Sequence, residues 1–127
     1  TTEIYTLSLH DALPIHAAVL DDDGRVVSSA VLERFDAAAQ PTVAVTAALG
    51  GAAVTWLRGD GEAAVLRGVV LRPDGAPRGA PRDLLPVPYA DGRLQAVGEG
   101  RSLAFLARDR VGATRGITVG GLCLPES

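Results

Sequence analysis

Methionine and lysine are missing from this chain of 127 residues, and cysteine and tryptophan occur once each. With one thiol, Cys123, no disulfide can close within the chain. Three readings of that thiol remain: a small apolar residue, buried or terminal, a half-cystine whose partner lies on another segment, and a catalytic nucleophile. The third lacks a dependable base, because the two histidines, His10 and His16, lie in or beside a segment set aside below. Long apolar runs are also missing. The longest, Thr42 to Leu57, is broken by Gly50, Gly51 and threonines, short of the roughly 20 residues a membrane helix needs. No sign of charge dominates. Twelve basic residues face 15 acidic ones, which leaves no electrostatic footprint for nucleic acid or an acidic membrane. All twelve bases are arginine, and alanine, glycine, valine and proline are abundant. That bias reflects GC-rich codons rather than chemistry. The absence of methionine leads us to expect a fragment.

Residues 1–15 read TTEIYTLSLHDALPI. This string resembles, residue for residue, one translated frame of the common Illumina sequencing adapter. The join departs from it, since the adapter's last base, T, opens no histidine codon; His16 therefore stands at an imperfect junction. The resemblance implies an adapter-derived segment without native structure, to be excluded from fold reasoning as a tag would be. It also implies a draft assembly whose true N-terminus is lost. The rival reading is an amphipathic strand or helix carried by Leu7, Leu9, Leu13 and Ile15. His10 and Asp11 are adjacent but receive no function. Without Glu3 and Asp11 the balance is 13 acids against 12 bases.

What remains repeats itself. His16-Ala-Ala-Val-Leu-Asp-Asp-Asp-Gly24 matches Arg67-Gly-Val-Val-Leu-Arg-Pro-Asp-Gly75, and Arg115-Gly-Ile-Thr-Val119 opens a third copy. Gly51-Ala-Ala-Val-Thr-Trp-Leu57 aligns with Gly100-Arg-Ser-Leu-Ala-Phe-Leu106. Asp23 to Asp74 is 51 positions, Trp56 to Phe105 is 49 and Gly68 to Gly116 is 48. A unit near 50 residues is the size of a propeller blade.

Between the repeats, turn signals bound short β-branched runs. Thr42 to Ala48 ends at Gly50-Gly51, Ala52 to Arg58 at Gly59-Asp60-Gly61, and Ala63 to Arg72 at Pro73-Asp74-Gly75. Such spacing predicts an antiparallel meander. In Pro73-Asp74-Gly75 the proline presets φ, the aspartate bonds nearby amides and the glycine takes φ > 0; Asp22-Asp23-Gly24 is its weaker counterpart. Val54 and Trp56 fall on one face of the second strand, Ala53 and Leu57 on the other. Apolarity on both faces predicts a sheet covered on both sides rather than one. Leu32 to Ala39 could form one helical turn before Pro41 stops it, and no long helix is expected.

Taken together, Val54-Thr55-Trp56, Arg67-Gly68-Val69-Val70-Leu71 and Asp74-Gly75 resemble the units of bacterial exported β-propeller-like repeat proteins. The resemblance covers about Ala17 to Val119, with Phe105 in place of tryptophan in the second copy. It implies a fold, and often an extracytoplasmic setting, but no particular activity.

The fold expected is therefore all-β, with meander repeats of about 50 residues forming roughly two blades of a truncated propeller. Residues 1–15 are artefact, 16–40 the end of a preceding blade and its connector, 41–91 one blade-like repeat and 92–127 a partial one. Asp21, Asp22 and Asp23 read as a solvated hairpin turn rather than a calcium loop, which needs alternating carboxylates. Arg67 and Arg115 read as strand-end or inter-blade partners of acids rather than anion ligands. Trp56 reads as core rather than a sugar platform, and Gly59-Asp60-Gly61 is too short for a phosphate loop. No catalytic, cofactor or metal set is expected. The expected role is a non-enzymatic scaffold or binding segment, with missing blades of the same polypeptide as partners and a protein or carbohydrate as ligand. A propeller-fold glycosidase or lyase with its catalytic residues elsewhere is the second expectation, and a β-sandwich adhesion domain the third. If Ser127 is the natural end, a strand from a lost N-terminal region would complete the last blade. Two blades alone are expected to self-associate.

Overall fold

The computed structural model describes residues 13–35 and 42–125. The described residues form nine strands: β1 (Leu13–Leu20), β2 (Val26–Phe35), β3 (Val43–Ala48), β4 (Gly51–Arg58), β5 (Val65–Leu71), β6 (Arg82–Pro86), β7 (Ala90–Glu99), β8 (Ser102–Val111) and β9 (Thr114–Cys123). A 3-10 turn, Gly61–Ala63, precedes β5. The strands form three antiparallel sheets in chain order: β1-β2, β3-β4-β5-β6 and β7-β8-β9. The first is a hairpin and the other two are meanders, so the all-β antiparallel expectation holds. Leu32 to Phe35 complete β2 and make no helical turn; residues 36–41 lie outside the described residues.

The sheets stack face to face, with the four-stranded one in the middle. Consecutive residues Ala53, Val54, Thr55 and Trp56 of β4 are all buried, which an alternating strand achieves only when both its faces are covered. Val54 and Trp56 join Val69 and Leu71 of β5 against Ile15 and Leu32 of the first sheet. On the opposite face Leu66 meets Phe105, Leu94 and Ala107 of the third sheet, and Ala53 meets Leu103 and Leu124. Trp56 is 0% exposed and Phe105 3%. Each projects from the second strand of its sheet onto the preceding sheet, so the two lie in equivalent settings.

Turn chemistry fixes the hairpins. β3 and β4 are joined by Leu49 and Gly50, with φ of 49° and 77°. Two positive φ values give a turn whose twist matches that of the strands. Leu49 pays about 1–2 kcal/mol for that conformation but packs on the cluster around Ala48 and Leu103. Its N–H also bonds the Gly100 carbonyl at 2.8 Å. In the Pro73-Asp74-Gly75 turn, the Ala76 amide donates to Asp74 Oδ1 at 2.9 Å and Gly75 has φ of 89°, as the sequence implied. Asp21 Oδ1 likewise accepts the amides of Asp23 and Arg25, each at 2.9 Å.

β1 begins at Leu13, three residues ahead of the expected boundary, and Ile15 is buried in the core. Backbone N–H and C=O groups pair whatever the side chains between them, so Leu13 and Ile15 extend the ladder opposite Phe35 and Glu33, with Pro14, which has no N–H to donate, opposite Arg34. Residues 1–12 lie outside the described residues.

Candidate functional site

The densest polar cluster sits between the first and middle sheets, at the end of β4 and the start of β5. Trp56 and Arg67 face each other across the β4–β5 ladder, and both point toward β2. There Glu33, whose side chain is 9% exposed, receives three donors. The Trp56 indole N–H donates to Oε2. Arg67 Nε donates to Oε1 at 2.7 Å, and Arg58 Nη1 lies 2.8 Å from the same oxygen. Arg67 Nη1 then reaches Asp83 of β6 at 2.8 Å, while the Arg58 guanidinium lies 5.9 Å from the centre of the Phe35 ring. Burial works against the charge of Arg67, but hydrogen bonds to Glu33 and Asp83 outweigh it and raise its pKa above the ordinary value.

The chemistry of this cluster is that of a clamp. Two guanidinium groups and two carboxylates cancel in charge. Arg58, Gly59, Ala63, Val65, Arg67 and Asp83 border an open hollow of about 420 Å³, yet the arginine heads are already engaged. A partly buried pair of this kind is costly to break, because removing one member strands the others away from water.

Arg67 thus has the inter-sheet acid partner expected of it. Arg115 does not join a matching cluster. It lies on the third strand of its sheet, as Arg67 does, but pairs across the hairpin with Arg110. Phe105 stands opposite Gly120, where the repeat would have placed Arg115. The physical reason is the connection. A six-residue link separates Arg58 from its partner Val65, whereas Val111 and Thr114 are joined by two residues. The ladder slides by an odd number, and an odd slide turns each side chain to the other face. Arg115 therefore points away from the middle sheet, alongside Ile117 (65% exposed) and Val119 (70%).

Asp21, Asp22 and Asp23 are all exposed in the β1–β2 turn. Among the described residues, no group of three or more His, Cys, Asp or Glu side chains converges to hold a metal ion. Cys123 is exposed at the end of β9. No helix among the described residues is long and apolar enough to cross a membrane. Glu33 was missed in the sequence. The repeat gave no signal for it: Glu33 pairs with Ile15, whereas Asp83 pairs with Arg67, so the two acids are not counterparts. Set beside known proteins, the chain matches no family model, no curated protein and no solved structure.

Proposed function

We propose that this chain is a segment of a β-propeller-type repeat scaffold, a non-enzymatic element whose sheets act as blades and whose loops offer a binding surface. The observation that carries the reading is the middle sheet. It is a four-stranded meander in the order β3-β4-β5-β6, covered on one face by the β1-β2 hairpin and on the other by the β7-β8-β9 meander. A two-layer sandwich gives each sheet one covered face, so the adhesion-domain reading is weaker. The first strands of successive sheets, β3 and β7, come close together, as strands lining a common axis must. There the Gly98 amide donates to Thr46 Oγ1 at 2.7 Å. The polar cluster around Glu33 supports a structural role, because its donors are spent on joining sheets.

The test is a structure of the product of the intact gene. The expected result is additional four-strand meanders around an axis lined by the counterparts of β3 and β7. Closure into two layers would overturn the reading. The same gene separates scaffold from enzyme: acids or histidines gathered at one rim of added units would favour a glycosidase or lyase.

A further inference from the structure

Among the described residues, the first sheet covers part of the middle one. β1 and β2 lie over Val54, Trp56, Val69 and Leu71. Beside them β3 presents Val43 and Val45 on the same face, since these pair with Trp56 and Val54. Val45 is 64% exposed and Val43 39%. Between these valines and Ala17 and Val19 of β1 runs a groove of about 410 Å³, whose floor continues through Val54 and Leu71 into the packed interface. Along its side, β1 has β2 as its one strand partner among the described residues, so within them its second edge is an open sheet edge.

An apolar floor beside an open edge suits extended chain, which bonds along the edge and packs downward. The repeat supplies its chemistry. β1 and β2 correspond to β5 and β6 through the matching runs His16–Gly24 and Arg67–Gly75. In the middle sheet the two preceding strands are β3 and β4. Their face toward the next sheet is made of small side chains, Ala44, Thr46, Ala48, Ala53 and Thr55, and it meets Gly98 and Ala96 of β7.

We propose that the groove and the open edge of β1 receive a β-hairpin of the β3–β4 kind. Its second strand pairs antiparallel with β1, and its alanine and threonine side chains rest on Val43 and Val45. The hairpin's chemistry rests on the blade reading above. A second copy of the chain cannot supply it, because its β3–β4 and β7–β8 hairpins are already paired to β5 and β9.

The test uses the full chain carrying Val45→Cys and Cys123→Ser, so that one thiol marks the groove. A second copy of residues 42–58 is fused ahead of Thr1. Alkylation of the position-45 thiol by iodoacetamide and amide exchange along β1 are compared with and without the fusion. The expected result is alkylation slowed about tenfold or more and new protection in β1. Ala53→Asp and Thr55→Asp in the added copy should abolish both effects. Unchanged alkylation, unchanged exchange, or protection that survives the two aspartates would overturn the proposal. So would a position-45 thiol already shielded in the unfused chain. Should the fused chain fail to fold, the same readouts are taken on the unfused variant with a synthetic 42–58 peptide. Failure here alongside a ring of meanders in the intact protein would retire the hairpin alone; a two-layer sandwich would retire the reading beneath it.

Discussion

The β4–β5 and β8–β9 hairpins begin from closely similar sequence and end in different registers. Both contain an aromatic residue in a second strand, then Arg-Gly and an apolar run in a third. In the first, the longer link sets Arg67 opposite Trp56 and turns both toward Glu33. In the second, the tight turn sets Gly120 against Phe105 and sends Arg115 outward. A recurring motif therefore specifies the kind of element, while the length of the connection decides which face its residues occupy.

The contrast breaks most visibly at the clamp. Glu33→Ala should cost about 3 kcal/mol, since it strands the Trp56 N–H and Arg67 between sheets; urea denaturation measures it, and a loss below about 1 kcal/mol would deny the clamp its structural role. Next comes the register of the second hairpin. A side chain at Gly120 would sit 2.7 Å from the Phe105 ring, so Gly120→Val should destabilise by about 1–3 kcal/mol. A neutral result would place some other residue opposite Phe105. Arg115→Ala should then fall within about 0.5 kcal/mol of the parent, far from the effect at Glu33. A large loss there would restore the equivalence of the two arginines.

The smallest effect lies in the loop that lengthens the first connection. Tyr89 donates its phenol to Glu62 at 2.9 Å, and this bond, with slight desolvation, raises its pKa above 10.0. A raised pKa in the folded state favours the protonated phenol. Its contribution to stability is present below the unfolded value and disappears as pH climbs through the folded one. Absorbance titration of tyrosinate should show one late-titrating phenol, and Glu62→Gln should bring it earlier.

Much of the fold was legible from the residues. Strand β4 was legible face by face, because glycine turns bound it and its apolar residues fall on both sides. β6 was not: Arg82–Pro86 lies among Pro77, Pro81, Pro86 and Pro88, which mask a strand in a single sequence. The start of β1 was obscured by the adapter-like string. The clamp was half legible. Arg67 and Trp56 stood out by recurrence, but a lone glutamate in a strand carries no sign of what lies across from it. The register of β9 was hidden because an Arg-Gly motif says nothing about the length of the turn that precedes it.

The contact at Gly98 has a geometric consequence. A Cβ there would lie 2.4 Å from the Ala47 carbonyl oxygen, so along β3 and β7 the sheets are held nearly backbone to backbone. Away from that contact, Leu66, Val87 and Phe105 keep them apart by full side chains. The stack is thus wedge-shaped, and residue volume sets its angle. Enlarging the thin side would splay the sheets toward parallel, and trimming the thick side would pinch them together. The angle between the middle and third sheets is written in the sizes of these few side chains.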